Sequence, residues 1–402
     1  MNDTELGYEL TAIAAGIDEF ERRSSRGGGI LEDEGFIPLY LGDGLVVRRE
    51  YAGWPQVEAD LARAREAVAL LEDGPRRDFL AKLMESLAAA AALFQGRELG
   101  YEEKLSRLVG LPAEPVDPVL LASLEGLLRE GLSKAGFGKG SLRERIAAWE
   151  AKGAIPPGEL PRAFAELQLE AKARTDELIA DTGDYLMELN PLRGAHFTAR
   201  CDFSGRKMDL NVENSFTRTS MKHLVTHEIF PGHATQNIYT VGAYERGAAS
   251  ADVLLCSLNG VPGVIQEGIG DQGLELIGWV EDLDDEIGAA LTRYRSAVAT
   301  QAAWMINVEG LGDAAAAEYL REAGAMQEAR IRGRIAMSRH PYRGPFVASY
   351  FHGNEAVRRV RLAVEKDPAR RAAFIADLYG RMHSPESLRR SNGVPPRARG
   401  EG

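Results

Sequence analysis

The stretch TSMKHLVTHEIFPGHATQNIY, residues 219–239, carries two histidines, His227 and His233, six positions apart, with Pro231 and Gly232 directly before the second. Its first half reads as a helix, with apolar residues three and four apart. On one straight helix six steps carry a side chain about 120° around the axis and about 9 Å along it, so the two imidazoles would not meet. Pro231 changes that expectation. It has no N–H for the carbonyl four residues back, and its ring clashes there, so the helix should stop or kink. Gly232 tolerates positive φ, which suits a redirected chain. The stretch therefore predicts helix, break, helix, with His227 and His233 on either side of the break.

Two imidazoles beside the carboxylate of Glu228 are the donor types that bind zinc. In the H-E-x-x-H pattern the histidines share one helix face and the glutamate points to the metal-bound water. Here the pattern opens in that way and closes two residues late, at His233. His223, four residues before His227, offers a second possible pair at regular helical spacing. Neither histidine need bind anything, since a capping or packing role accounts for a single histidine equally well.

A third donor lies downstream in PGVIQEGIGDQGLEL, residues 262–276. Glu267 and Asp271 sit at i and i+4 and share one helix face. Glu267 is placed to ligate, and Asp271 to orient a ligating histidine from behind. Two histidines, a glutamate and a water make an open, catalytic type of zinc site. Gly268, Gly270 and Gly273 each weaken a helix by about 1 kcal/mol, a cost that makes sense where something approaches the backbone closely. They also spell a formal G-x-G-x-x-G, but the flanks lack the apolar strand that a dinucleotide site requires.

Around this centre the chain is mostly helical in pattern. VEADLARAREAVALLED (57–73), RRDFLAKLMESLAAAAALF (76–94) and PRAFAELQLEAKARTDELIADTGDYL (161–186) all repeat apolar residues at helical spacing. One region alternates instead: HFTARCDF (196–203), a Ser-Gly turn, then KMDLNVE (207–213), which predicts a β-hairpin beside the helix carrying His227. The expected architecture is mainly α, a helical zinc-peptidase-like fold with that small hairpin. It divides into a helical N-terminal lobe (1–190), a catalytic region (191–390) and a disordered tail (391–402).

Composition narrows the functional class. A net charge of −12 gives no electrostatic support to a nucleic-acid role. Cys201 and Cys256 are the only cysteines and have no C-x-x-C spacing, so both are expected to be reduced. The first thirty residues lack a basic segment followed by an apolar one. No apolar run approaches about 18 residues. The expectation is a cytoplasmic protein with no membrane partner; the oligomeric state is not written in the sequence.

HLVTHEIFPGHATQ (223–236) resembles the H-E-x-x-P-G-H-H segment of the bacterial domain of unknown function 885 family, whose members look like gluzincins, the thermolysin-type zinc peptidases. LNVENSF (210–216), VIQEGIGDQGLEL (264–276) and FVASYFHG (346–353) resemble further family elements in the same order, covering about residues 195–380. Ala234 stands where the family usually has a second histidine, and Gln272 where it has a tyrosine. The resemblance implies zinc-dependent cleavage of short peptides, with one Zn²⁺ per chain. His227, His233 and Glu267 would be its ligands, and Glu228 the base. It also implies a transition-state donor from SRHPYRGPFVASYFHG (338–353), which gathers His340, Tyr342, Tyr350 and His352; Tyr350 is favoured, then His352. Two rivals remain: a metal-dependent hydrolase of a non-peptide amide or ester, and a degenerate peptidase scaffold that only binds.

Overall fold

A computed structural model describes the chain apart from residues 26–29, 32–34, 196, 197, 257 and 397–402. The described residues are mainly helical, with one three-stranded sheet, as the sequence pattern predicts. None of their helices is long and apolar enough to cross a membrane. They form two compact units. The first comprises Met1–Ala113, Gln236–Gly268 and His340–Ala398; the second, Glu114–Thr235 and Ile269–Arg339. Both are discontinuous in sequence, unlike the consecutive lobes meeting at residue 190. Two helices, His233–Glu245 and Val261–Asp271, run through the points of division.

In the first unit, helix Asp3–Ser25 buries Leu6, Leu10, Ile13 and Ile17, one apolar stripe at helical spacing. Helix Pro75–Phe94 does the same with Leu80, Leu83 and Leu87. Each fully buried leucine contributes about 1.5–3 kcal/mol. The Asp18 carboxylate, buried on the first helix, accepts the backbone N–H groups of Phe36 (2.5 Å) and Ile37 (3.0 Å) and so fixes the loop that follows. At the other end the expected tail is partly ordered. Ser391 closes helix Pro385–Ser391 and Val394 is buried, while residues 397–402 lie outside the described residues.

The second unit holds the sheet. Strands β1 (Glu188–Leu192), β2 (Ala199–Asp202) and β3 (Lys207–Asn211) lie in the order β1-β3-β2. The pair β2–β3 is the expected antiparallel hairpin, in register Ala199 with Leu210 and Asp202 with Lys207; its first two residues, His196 and Phe197, are outside the described ones. Strand β1 pairs in parallel with β3 and was not legible, because Pro191 argues against a strand except at a sheet edge. Helix Leu160–Leu178 also ends before the pattern 161–186 suggests. The Asp176 carboxylate captures the N–H (2.9 Å) and hydroxyl (2.7 Å) of Thr182, so the chain turns there.

The core of this unit positions the histidines. Met208 and Leu210 of β3 pack with Leu160, Phe164, Leu167, Met221, Val225, Ile229, Phe230, Leu274 and Trp279. Met221 and Val225 face that core from helix Arg218–Glu228, here called the first motif helix. His223 and His227 are each two residues further on, about 200° around the axis. The apolar stripe thus anchors the helix while the histidine stripe points away from the anchor.

Candidate metal centre

The first motif helix has a defined start and stop. Thr217 caps it: its hydroxyl accepts the N–H of Ser220 at 3.0 Å, and the Ser220 hydroxyl accepts the N–H of Thr217 at 2.8 Å. The helix ends at Glu228, with Ile229 beyond its last turn. Phe230–Pro231 is a cis peptide. A second motif helix, His233–Glu245, then begins. Thr235 ties the two together, donating both its N–H (3.1 Å) and its hydroxyl (2.9 Å) to the carbonyl of Ile229. The expected helix, break, helix is present, and its break falls between the two histidines.

Gly232 has a different reason from the one read in the sequence. It is not in the left-handed φ region. Its need is steric: a Cβ there would lie 1.6 Å from the carbonyl oxygen of His227 and 2.6 Å from that of Thr226. The start of the second helix presses directly on the end of the first.

That close turn brings the imidazoles of His227 and His233 to 4.9 Å between ring centroids, at 90° to each other. Asp271, at the end of helix Val261–Asp271 (the glycine helix), places Oδ1 at 3.0 Å from Nδ1 of His227. Glu267 stands one helical turn earlier on the same helix face. One donor atom each from His227, His233 and Glu267 all lie within 4.8 Å of one another. The three residues proposed as ligands are therefore brought together, with Asp271 behind His227 in the orienting position.

A second set, His223, His227 and Asp271, is equally compact, and Asp271 Oδ1 is 3.6 Å from Nε2 of His223. Chemistry separates the two sets. A proton shared between Nδ1 of His227 and Asp271 fixes the tautomer and leaves Nε2 as the ligating nitrogen. The first set keeps that hydrogen bond and uses it; the second must break it. Burial pushes the pKa of His223 down to about 4, against the attraction of Asp271, so His223 is neutral at pH 7.

The glycine helix is shaped by close approach on two sides. A Cβ on Gly270 would meet the His227 ring at 2.8 Å, and one on Gly273 would meet the Thr226 carbonyl oxygen at 2.7 Å. Gly268 faces a different neighbour, helix Val347–Val364 (the late helix): its Cβ would meet the Gly353 carbonyl oxygen at 2.3 Å. The formal G-x-G-x-x-G is thus a packing device inside helices. One expected result follows. Gly270→Ala should push the His227 ring aside and lower zinc affinity about 10–100-fold, the usual effect of disturbing a ligand's support, with little change in melting temperature. Unchanged affinity by competitive chelator titration would remove His227 from the ligand set.

Glu228 ends the first motif helix beside strand β2, where the Cys201 thiol donates to its Oε2 at 3.4 Å. Burial, then the Glu228 charge, pushes the Cys201 thiol well up, so it remains an S–H donor. Nothing in the sequence signals this contact; the alternation of β2 places Cys201 on a face without saying what it meets.

The four expected donors divide. His340 accepts the N–H groups of Tyr342 (3.2 Å) and Arg343 (3.0 Å) in a turn, and buried Tyr342 donates to the Asn259 carbonyl at 3.0 Å. Both are structural. Tyr350 and His352 lie on the late helix, the first half-buried against Phe346 at 6.2 Å. Gly353, one turn after Tyr350, packs on Val264 and Gly268 of the glycine helix, so Tyr350 is on the side turned toward that helix. Burial pushes the pKa of His352 down to about 4.

Two imidazoles, one of them held by a second carboxylate, and the carboxylate of Glu267 are a donor set that fits zinc. The Gly270 and Gly232 clearances fit it too, since both let the protein crowd His227 without displacing it.

No protein-family model matches this chain, and no curated protein matches it. Its fold is similar to that of a "putative lipoprotein" from Colwellia psychrerythraea, with a TM-score of 0.59 at 15% identity, over 93% of this chain and 68% of that one. It is also similar to a "putative lipoprotein of unknown function" from Shewanella oneidensis, with a TM-score of 0.52 at 14% identity, over 84% and 72% of the two chains. At these identities the likeness is one of fold.

Proposed function

We propose that this chain is a zinc-dependent hydrolase of peptide bonds in short cytoplasmic peptides, related to the domain of unknown function 885 family and through it to the gluzincins. The observation that carries the reading is the hydrogen bond of His227 to Asp271 at 3.0 Å, beside His233 and Glu267. It joins a ligand set to its support, which a packing or capping histidine does not require.

His227, His233 and Glu267 would hold the ion. When bound, a divalent cation supplies Lewis acidity toward a carbonyl oxygen and lowers the pKa of water. The protein's own groups do the rest. Asp271 keeps the proton on Nδ1 of His227. Glu228 takes a proton from the attacking water and returns it to the nitrogen of the leaving amine. Cys201 holds one oxygen of that carboxylate, leaving the other to face the water. Tyr350 donates to the oxyanion of the tetrahedral intermediate, with His352 as the alternative donor.

Glu228→Gln tests the assignment, because it keeps size and polarity and removes the basic oxygen. It should lower kcat by about 10²–10⁴ on a peptide substrate while zinc content stays at the wild-type level. Full activity in this variant eliminates Glu228 as the base. Wild-type cleavage of esters or non-peptide amides with no peptide turnover would move the reaction to the rival class.

A further inference from the structure

Phe203 follows strand β2, two residues after Cys201, and both side chains pack against the core cluster that carries Met208 and Leu210. Side chains two apart in extended chain share a side, so one face of the chain presents both. Cys201 meets Glu228 at 3.4 Å. Phe203 meets His233: its ring centroid lies 6.4 Å from that of the imidazole, with the planes at 88°. His233 in turn stands 4.9 Å from His227 at 90°. Three rings thus follow one another at right angles, and the two imidazoles among them are proposed ligands. Phe203 ends the row, and its side chain is only partly buried.

The backbone of Phe203 is held in place. The Tyr185 hydroxyl donates to its carbonyl oxygen at 2.9 Å. The Tyr185 ring packs edge-on against buried Phe230 at 6.3 Å, and the Arg206 guanidinium covers it at 5.1 Å. Phe230 belongs to the break that delivers His233, so these contacts tie the end of the strand to the break. The Asp202 carboxylate accepts the Gly205 N–H at 2.7 Å and closes the turn. Around Phe203 the chain reads Asp202, Ser204, Gly205 and Arg206, all polar or small. One phenyl ring among them keeps accessible surface beside a proposed ligand.

We propose that Phe203 is a specificity-determining residue: its ring, set square to the His233 imidazole, receives an aromatic side chain of the peptide next to the bond that is cleaved. Aromatic rings pair offset or edge to face, and two rings at a right angle offer a third both a face and an edge. A peptide whose scissile carbonyl lies at His227, His233 and Glu267 has its flanking residues close by, since consecutive Cα atoms are about 3.8 Å apart. The inference rests on the hydrolase reading above, and names the class of its substrate.

The test compares blocked peptides that differ at one residue. Full-length protein is assayed on N-acetyl-dialanine amide and on the same peptide with phenylalanine, or leucine, in its first or its second position. In one of the two positions phenylalanine should raise kcat/KM about tenfold or more over alanine. It should exceed leucine there about threefold, the scale of an aromatic pair; the responding position shows on which side of the bond the ring sits. Phe203→Ala should bring the phenylalanine-to-alanine ratio close to one. Phe203→Leu, which keeps the packing on the core, should leave an intermediate ratio and guards against a misfolded alanine variant. Zinc content is measured in each. A ring that only supported His233 would, on removal, lower zinc and slow every peptide alike, so an unchanged ratio in both variants overturns the proposal. Equal turnover of the phenylalanine and alanine peptides, or leucine equal to phenylalanine, does so too. Failure of wild-type protein to cleave any peptide overturns the hydrolase reading instead. Calorimetric titration of Glu228→Gln with the same peptides, with and without Phe203→Ala, then decides this one, and no binding preference for phenylalanine overturns it.

Discussion

Purified without chelator, the protein should carry about one zinc per chain, and His233→Ala should carry almost none. The argument turns on which nitrogen of His227 is available. Asp271 lies 3.0 Å from Nδ1, so the ligating nitrogen is Nε2, and it must find its partners outside the His223–Asp271 side. His233 and Glu267 are those partners, all three donors lying within 4.8 Å. Loss of His233 leaves two ligands, too few for a site that also holds a water. Glu267→Ala should behave in the same way. His223→Ala is the control: it removes a donor of the second compact set and should leave the zinc in place. Metal analysis of the three variants after dialysis decides the matter. Zinc retained in His233→Ala and lost in His223→Ala would move the ion to the His223, His227 and Asp271 set, and no zinc in any protein, even after dialysis against it, would end the metal reading.

What the sequence disclosed and what it withheld follow a physical line. Local rules acted where they were read: Pro231 ends the first motif helix, the Ser-Gly turn joins two alternating strands, and Glu267 and Asp271 share one helical face because they are four apart. The sequence could not show which distant stretches share a core. Residues 114–235 pack with 269–339 and straddle the boundary that composition suggested at 190. It also misled at single residues. Pro191 hid strand β1, since a proline reads as a break until one knows that the strand lies at an edge. Asp176 ended helix Leu160–Leu178 by a side-chain bond to Thr182 that no periodicity reveals. Val394 is buried within a tail whose composition looked disordered. The contact of Cys201 was invisible for a related reason. A thiol on a strand is ordinary in sequence, and only its neighbour, Glu228, gives it a role.

Gly232→Ala should unseat the site more thoroughly than any other substitution outside the ligands. At most glycines an added methyl stabilises by about 0.4–1 kcal/mol when the backbone can accept it, because the unfolded chain loses freedom. The φ of Gly232 lies outside the left-handed region, so conformation alone would allow alanine and predict that gain. Space reverses the sign. The new Cβ would fall 1.6 Å from the His227 carbonyl oxygen, 2.3 Å from its carbon and 2.6 Å from the Thr226 carbonyl oxygen. All three are backbone atoms of one helical turn, so no rotamer change relieves the overlap. The second motif helix must move away from the first, and its first residue is His233. Overpacking of this kind costs about 3 kcal/mol, the upper end of what added core methyls usually cost, and here the displacement falls between two ligands. The expected result is a lower urea midpoint together with zinc content near zero. Gly270→Ala gives the contrast, since its Cβ meets only a side-chain ring, which can swing, so it should weaken zinc with much less effect on the midpoint. Should Gly232→Ala match wild type in both midpoint and zinc content, the close turn would not be what holds His233 beside His227, and the reason for a histidine two residues late would have to be sought elsewhere in the helix.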